Sequence, residues 1–425
     1  MDYAEARQYL ESVIRAGIKY DLVNIRRLLA ALGHPERRFP VVCVAGTNGK
    51  GSVCAFLESI LAEAGYRAGL NTSPHLVTPR ERIRINRRPV SPGEFASALT
   101  EVRAASESGW ATDDPGRPTF FETMTAAALV HFRRAGADVA ILEAGLGGRL
   151  DGTNAAQPLL SVVTRISIDH PKTLGRSLGK IAFEKFGLAR PGRPLLIGAQ
   201  RPRVARLLVE LARFRGALPV RMGSRWRETE GGLELTTPRQ RYARIRLGLG
   251  GRAQRENAAC AVRAGELLAA RGFHIGKGAV DAGLAAAWWP GRLELRHGER
   301  RVLMDCAHNP EGVRRLVAEL DRIPARRRIL IYASMGDKDI RSAARLLFPA
   351  VAKVILPPLP QRRAAEPAEI LELTGDLHPD VTTAASVADA WEKARAWSAS
   401  GDLIVVTGSL YLVGEFKRAT GEDSP

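Results

Sequence analysis

The sequence predicts an α/β protein: an N-terminal P-loop ATPase domain with a mostly parallel, doubly wound sheet, followed by a smaller C-terminal Rossmann-like α/β domain. Short runs of apolar, β-branched residues alternate with segments of helical apolar spacing, the pattern of parallel sheets covered by helices. The first buried run ends in a glycine loop that carries one lysine. A second strand–helix alternation starts at about residue 299, so we place the domains at 1–297 and 298–425.

The composition is that of an ordinary globular protein. The chain has 425 residues, 45% of them hydrophobic and 25% charged, which suits two or three domains. No apolar run approaches the roughly 20 residues that span a bilayer, and the first residues lack the basic-then-apolar pattern of a signal peptide. The four cysteines lack metal-ligand spacing, so we expect buried free thiols and a cytoplasmic protein.

The formal net charge is +18, and arginine supplies most of it. Such a balance is compatible with nucleic acid, an anionic surface or anionic small molecules as partners. The basic residues are not gathered in a tail, and no aromatic-rich nucleic-acid module occurs. We therefore expect polyanionic small substrates such as ATP, and neither a nucleic-acid nor a membrane partner.

The central stretch is a strand, a glycine loop and a helix in succession. Residues 41–45 are apolar, residues 46–52 read Gly-Thr-Asn-Gly-Lys-Gly-Ser, and residues 53–61 have helical apolar spacing. Glycines let backbone N–H groups turn toward phosphate oxygens, and the helix N-terminus adds positive potential. Lys50 can reach terminal phosphates, and the Ser52 hydroxyl can face a metal ion. The spacing is one residue shorter than in the common phosphate-loop pattern, and a plain glycine turn is the alternative.

Strands and helices alternate on both sides of this stretch. Residues 1–39 read as helical, and residues 219–247 as hairpins that cover a sheet edge. The other predicted strands of the first domain are 67–71, 137–143, 159–166 and 195–198, and its other helices are 94–105, 121–134, 178–188 and 254–270.

Polar residues follow four of the predicted strands. The glycine loop at Gly46, Ser73, Glu143 and His170 all lie at strand ends, where an open α/β sheet binds its ligands. Glu143 can bind Mg²⁺ beside the phosphates. The alternatives are a salt-bridged glutamate, a structural histidine and a serine in a turn before proline.

The second domain repeats this arrangement more weakly. Asp305, the run 337–339 and Ser409 follow predicted strands and precede helices. Such residues can bind a ribose hydroxyl or an amine, or simply cap the helix that follows.

These residues together resemble the folylpolyglutamate synthase and dihydrofolate synthase family of the Mur ligase superfamily. The order and spacing of the motifs agree from near the N-terminus to residue 415. The motifs are residues 45–52, 72–76, 120–122, 143–154, 169–170, 184–185, 289–294, 305–310, 337–339 and 407–411.

The resemblance implies a role for each matching residue. Catalysis would involve Lys50, Glu143, His170 and Lys185. ATP would be bound by Asn48, Gly49, Lys50, Gly51, Ser52, Asn257, Arg292 and Asp305. The metal ligands would be Ser73, Glu143, His170 and Lys185. The pterin would contact Thr119, Phe120, Phe121, Glu122, Leu150, Asp151 and Gly152, and glutamate would contact His308, Lys338 and Ser409.

The family implies an ATP-dependent ligase that joins L-glutamate to a folate, and in some members to dihydropteroate, through an acyl phosphate. It further implies two Mg²⁺ sites, a carbamylated Lys185 and a monomer. The residues alone suggest none of these; Lys185 by itself reads as a solvated helix residue.

The sequence departs from the family pattern at four places. The usual Gly-Leu-Glu-Arg pterin-contact segment appears as residues 21–25, Asp-Leu-Val-Asn-Ile, and the common Asp-His-Thr-Glu run as Asp169-His170-Pro171-Lys172. Phe186 replaces a usual alanine, and Cys306 a common glycine. None of these changes removes an implied metal or phosphate ligand.

Three other functions compete with this interpretation. A cell-wall Mur ligase usually carries a UDP-sugar domain before the phosphate loop, and the roughly 45 residues here are too few for one. A basic P-loop ATPase that acts on nucleic acid would account for the charge of +18. A binding protein without catalysis is the third, and the retained Lys50, Glu143 and His170 argue against it.

Overall fold

The computed structural model describes residues 1–14, 21–111, 114 and 116–421. The chain forms two compact units. The first comprises Met1–His75, Pro79–Gly248 and Gln254–Trp288, and the second comprises Leu76–Thr78, Leu249–Ala253 and the chain from Trp289 onward. We predicted the domain boundary at residue 297; the structure places residues 289–297 in the second unit.

The first unit contains an eight-stranded sheet, a separate three-stranded sheet and most of the helices. The helices are α1 Tyr3–Ile14, α2 Val23–Ala31, α3 Lys50–Glu63, α4 Pro92–Gly109, α5 Phe120–Arg134, α6 Pro171–Leu174, α7 Leu178–Phe186, α8 Pro202–Phe214, α9 Arg252–Ala269 and α10 Lys277–Ala286. The strands are β1 Val41–Ala45, β2 Ala68–Asn71, β3 Ile83–Ile85, β4 Arg88–Pro89, β5 Val139–Glu143, β6 Leu160–Val163, β7 Pro194–Ile197, β8 Leu218–Arg221, β9 Arg225–Thr229, β10 Gly232–Thr236 and β11 Arg241–Ile245.

The large sheet has the order β4-β3-β2-β5-β1-β6-β7-β8. Among the described strands, all pairs from β2 to β8 in this order are parallel, and the pairs β2–β3 and β3–β4 at one edge are antiparallel. This confirms the mostly parallel sheet. The glycine-loop strand β1 is central, and β2, β5, β1 and β6 are neighbours. Their carboxyl ends therefore meet at one edge, as the four polar strand ends required.

Both faces of this sheet are covered. The helices α1, α2, α4 and α5 pack on one face through side chains such as Ile25, Leu28, Phe95 and Phe132, all fully buried. Near β6 and β7, α7 and α8 contribute Ile181 and Leu208 to a second cluster. Helix α3 is buried on all sides over residues 51–61, which holds the end of the glycine loop in the core.

The region 219–247 differs partly from the prediction. Its first residues belong to β8, which extends the parallel sheet beside β7. Strands β9, β10 and β11 then form the predicted antiparallel hairpins as a sheet of their own. The helical prediction over 1–39 holds for α1 and α2, and its part over 15–20 lies outside the described residues.

The second unit is a six-stranded sheet with helices on both faces, as predicted. Its elements are β12 Glu294–Arg296, β13 Arg301–Met304, α11 Pro310–Leu320, β14 Arg328–Tyr332, α12 Ile340–Leu347, β15 Lys353–Leu356, α13 Pro367–Thr374, β16 Val381–Thr383, α14 Val387–Trp397, β17 Leu403–Thr407 and α15 Leu410–Ala419. The order is β12-β13-β17-β14-β15-β16, parallel except for β12. Consecutive residues of β14, such as Ile329 and Leu330, belong to different core clusters, as in a sheet buried on both faces.

Among the described residues, no helix is long and apolar enough to cross a bilayer.

Candidate active site

The glycine loop lies between β1 and α3 and is held by the residues that follow β6. The backbone N–H groups of Thr47 and Asn48 both donate to the Arg165 carbonyl, at 2.9 and 3.2 Å. The Thr164 hydroxyl donates to the Asn48 carbonyl at 2.9 Å. The Thr47 hydroxyl donates to the Ser167 carbonyl at 3.0 Å. These bonds fix the loop backbone before any ligand binds.

Gly49 is a position in the loop that favours glycine. Its φ of +87° is in the left-handed region, and a Cβ there would overlap the Asn257 side-chain oxygen. Asn257 is buried on α9, where its amide nitrogen donates to Gln254 at 2.8 Å. The structure therefore places two predicted ATP-binding residues, one in the glycine loop and one on α9, against each other.

Two lysines reach the carbonyls of adjacent loop residues. Lys50 Nζ lies 3.4 Å from the Thr47 carbonyl oxygen, and Lys185 Nζ donates to the Gly46 carbonyl at 2.8 Å. Lys185 is only 4% exposed. Burial, with the Lys50 charge as the second cause, lowers the pKa of Lys185 from 10.5 to about 7.

Glu143 and Ser73 meet at the ends of neighbouring strands. Glu143 is the last residue of β5 and is buried, and its carboxylate accepts from the Ser73 backbone N–H at 3.2 Å. The Ser73 hydroxyl oxygen is buried and has no hydrogen-bond partner among the described residues. A buried hydroxyl that lacks a partner beside a carboxylate is a chemically suitable pair of metal ligands, because a bound cation would satisfy both.

His170 follows β6 and adopts a left-handed conformation with φ of 49°. Its backbone N–H donates to Asp169 at 2.9 Å, and its ring Nε2 lies 3.9 Å from the Asp169 carboxylate. The ring is half-exposed, at 36%.

No group of three His, Cys, Asp or Glu side chains in the described chain has metal-binding geometry. The predicted ligand set contains only two such residues, Glu143 and His170. The other two are a serine and a lysine. A second carboxylate-like group would arise only if Lys185 were modified.

The loop 144–154 is braced from inside by Asp151. Its carboxylate accepts from the Leu146 N–H at 2.9 Å, from the Thr153 N–H at 3.1 Å and from the Thr153 hydroxyl at 2.6 Å. Burial raises the pKa of Asp151, and these hydrogen bonds oppose the rise. Both carboxylate oxygens are thus used within the loop.

A second brace joins this loop to the helix that carries Lys185. Arg149 pairs with Glu184 of α7 at 2.9 Å, and its backbone N–H donates to the Glu184 carbonyl at 2.8 Å. A Cβ at Gly148 would lie 3.1 Å from the carbonyls of both Glu184 and Lys185. The glycine permits this close approach and so positions Lys185.

The predicted pterin contacts at the start of α5 are of two kinds: polar residues that cap the helix, and two aromatic residues that do not. Thr119 and Glu122 form a capping box at the start of the helix, with bonds of 3.3 and 2.8 Å. Phe121 lies against the loop 144–154, 2.7 Å from a Cβ built at Gly145 and 3.5 Å from one at Gly152. Phe120 stacks under the Arg82 guanidinium at 5.0 Å. The aromatic rings are thus the groups available to a flat ligand.

The second unit holds the remaining candidates. Asp305 accepts from the backbone N–H groups of Leu293 and Ala307, each at 2.9 Å. Burial raises the pKa of Asp305, and the nearby Arg292 charge opposes that rise. Asn309, not Asp305, caps α11, so the capping alternative for Asp305 is wrong. His308 bonds to the Cys306 carbonyl at 3.0 Å.

The two other glutamate-site candidates differ in their surroundings. Ser409 is buried and caps α15 by accepting from the Tyr411 N–H at 3.1 Å. Lys338 is half-exposed beside Asp339, which caps α12.

Sequence reasoning missed the residues that hold the loops. Thr164 supports the phosphate loop and lies in none of the motifs. Arg149 supports Lys185 and lies in the motif 143–154, but the resemblance gave it no role. Their partners lie more than 30 residues away. The order of the parallel strands, which makes β1 and β6 neighbours, is the signal that could have pointed to Thr164.

Comparison with known proteins decides between the superfamily members. Residues 291–410 match the Mur ligase glutamate ligase domain. The chain is 33% identical to the dihydrofolate synthase/folylpolyglutamate synthase of Bacillus subtilis, over 98% of each chain.

The chain belongs to the folylpolyglutamate synthase/dihydrofolate synthase family.

Solved structures of this family have the same fold. Escherichia coli FolC in complex with DHPP and ADP superimposes with a TM-score of 0.88 at 32% identity, covering 99% of this chain and 98% of that one. A bifunctional folylpolyglutamate synthase/dihydrofolate synthase with Mn, AMPPNP and L-glutamate bound gives a TM-score of 0.86 at 28% identity, with 99% and 98% covered. Arg292, Asp305, His308, Lys338 and Ser409 all fall within the matched Mur ligase domain.

Proposed function

We propose that this protein is an ATP-dependent ligase that adds L-glutamate to a folate, as a folylpolyglutamate synthase, and to dihydropteroate, as a dihydrofolate synthase. Membership of the family supports the reaction class. The observation that carries the proposal is the meeting of a phosphate loop, two lysines and a carboxylate–hydroxyl pair at the ends of four adjacent strands.

ATP binds with its phosphates in the loop 46–52. The N-terminus of α3 and the loop N–H groups supply positive potential, and Lys50 lies at the first turn of that helix. Asn257 is fixed against Gly49, so it can contact the nucleotide beside its phosphates. Arg292 and Asp305 stay predicted ATP contacts on the family resemblance alone.

Ser73, Glu143, His170 and Lys185 would hold two divalent cations, Mg²⁺ in the cell. The buried Ser73 hydroxyl without a partner and the adjacent Glu143 carboxylate suit such a cation. A bound cation there would supply positive charge against the transferring phosphoryl group.

Lys185 is proposed to be carbamylated. Its neutral amine attacks the carbon of CO2, a C–N bond forms, and one proton leaves, so that a cation becomes a carboxylate-like ligand. The buried position and the pKa of about 7 favour the neutral amine. An ordinary lysine would be almost entirely protonated at pH 7. The modified side chain would add a second anionic group beside Glu143 to the ligand set.

The reaction proceeds in two steps. The substrate carboxylate attacks the γ-phosphorus of ATP, giving an acyl phosphate and ADP, while Lys50 stabilises the charge that develops on the phosphoryl oxygens. The amine of L-glutamate then attacks the acyl carbon, phosphate leaves, and the amide bond remains. His308, Lys338 and Ser409 are the proposed glutamate-binding residues, and Phe120 and Phe121 the proposed pterin-stacking rings.

The protein is proposed to act as a cytoplasmic monomer on small molecules and not on nucleic acid. This separates it from the competing nucleic-acid-dependent ATPase. The basic surface fits anionic substrates, since ATP, folates and glutamate all carry carboxylates or phosphates.

An omission assay tests this function. ADP release should require both L-glutamate and a pterin substrate, either tetrahydrofolate or dihydropteroate. Added RNA or DNA should not stimulate it. Lys50→Ala should lower turnover by roughly 100- to 1,000-fold, the scale for losing a transition-state charge partner, whereas Lys277→Ala on exposed α10 should not. ADP release that does not depend on L-glutamate, or that nucleic acid stimulates, would contradict the proposal.

A further inference from the structure

The stretch after His170 carries positive charge without any acid. Between Asp169 and Glu184 the chain contains Lys172, Arg176 and Lys180 and neither Asp nor Glu. The three cationic side chains are exposed, and none of them forms an ion pair with another described residue. Unpaired cations of this density attract anions. We call residues 171–180 the basic segment.

The basic segment touches two parts of the site. It begins directly after His170, a proposed metal ligand, and its Leu174 lies 3.3 Å from a Cβ built at Gly147. The segment therefore packs on the loop 144–154, whose residues 150–152 are proposed to meet the pterin. Within the segment, Ser177 caps α7 by accepting from the Lys180 N–H at 3.2 Å.

Folates and dihydropteroate differ in the charge that they would place between the proposed pterin contacts and the proposed metal ligands. In a γ-linked polyglutamate, each glutamate leaves one free α-carboxylate on the chain between the pterin and the terminal carboxylate that reacts. Dihydropteroate has only the carboxylate that reacts. A polyglutamate stretched from the pterin contacts to the metal ligands would place its extra carboxylates beside the basic segment.

We propose that Lys172, Arg176 and Lys180 form a subsite for the α-carboxylates of the γ-glutamyl chain. The subsite selects folylpolyglutamates over dihydropteroate and strengthens binding as the chain lengthens. Lys172 stands where the resembling family commonly has glutamate, so this charge is a feature of the present chain. The inference rests on the proposed function and adds to it the substrate that the site prefers.

Charge reversal tests this subsite. The double variant Lys172→Glu/Arg176→Glu should raise KM for tetrahydrofolate triglutamate about tenfold and for the monoglutamate about threefold, since exposed pairs contribute modestly and add. KM for dihydropteroate should change less than twofold, and kcat should be unchanged for all three. KM of the wild type for the triglutamate should rise with added salt, because exposed charge pairs are screened.

Arg213→Glu is the matched control, because Arg213 is exposed at the end of α8, which leads away from the carboxyl edge of β7. It should leave all three KM values unchanged. If the double variant changes KM equally for the triglutamate and dihydropteroate, or for neither, the proposed subsite is wrong. Such a result would not contradict the proposed ligase function. Absence of turnover with every substrate in the wild type would instead overturn the proposed function itself. Thermal melting of the variants distinguishes a lost subsite from lost folding.

Discussion

At the scale of single residues, Lys185 shows how burial changes chemistry. The same side chain that reads as a solvated helix residue is 4% exposed and donates to the phosphate loop. Helical spacing could not reveal this, because its burial depends on the loop 144–154, which packs over α7 through Gly148. Only the family resemblance pointed to it.

Lys185→Ala should inactivate the ligase, and short carboxylates such as acetate or formate should partly restore activity by entering the vacated space. The reason is that the proposed carbamate acts as a carboxylate. Turnover with and without added carboxylate measures this. Lys50→Ala, which removes a cation, should gain nothing from the same additives. An intact-mass spectrum showing unmodified lysine in fully active enzyme would count against the carbamate.

The other residues of the site were predicted unevenly. The strand ends identified Glu143 and Ser73, and the structure brings them together through a 3.2 Å hydrogen bond. The carboxylates of Asp151 and Glu122 instead bond within their own loop and helix cap. Motif position indicates that a residue is near a site, but not whether its polar atoms are already occupied.

At the scale of elements, the phosphate loop is specified by backbone geometry. Gly49 and Gly65 have nearly equal φ, +87° and +88°, but only Gly49 has a neighbour in the way of a side chain. Each substitution by alanine carries the left-handed cost of roughly 1–2 kcal/mol. Comparing alanine variants at these two glycines therefore distinguishes the cost of backbone strain from the effect of contact with Asn257.

Gly49→Ala should therefore raise KM for ATP at least tenfold. Gly65→Ala should lower the free energy of unfolding by roughly 1–2 kcal/mol and leave KM for ATP unchanged. Chemical denaturation and ATP titration measure the two effects. Equal KM values for both variants would show that the approach of Gly49 to Asn257 does not shape the nucleotide site.

Alternation of apolar runs predicted the parallel sheets, since buried strands and amphipathic helices differ in period. The antiparallel edge β3–β4 and the short α6 escaped prediction. Both are too short to show a period, and β4 contains a proline. The position of β3 depends on its antiparallel pairing with β2, in which Asn71 lies opposite Ile83.

At the scale of the whole molecule, the pKa of Lys185 links the site to folding. In the folded protein without CO2, the pKa is about 7, against 10.5 for a free lysine. Between these values the unfolded chain binds more protons than the folded one, so this group makes the free energy of unfolding rise with pH from about 7 to 10.5.

Lys185→Met should therefore flatten this part of the pH dependence and be more stable than the wild type near pH 7. Urea denaturation in CO2-free buffer at several pH values measures the slope. A slope that is identical in wild type and variant would contradict the burial of a neutral lysine.

The most direct test of the central claim is the ratio of ADP formed to glutamate incorporated. The protein should be incubated with ATP, Mg²⁺, labelled L-glutamate and tetrahydrofolate or dihydropteroate, and the product analysed by mass spectrometry. The account predicts one ADP for each glutamate joined in amide linkage to the pterin substrate. ADP formed without any glutamate-bearing product would contradict it.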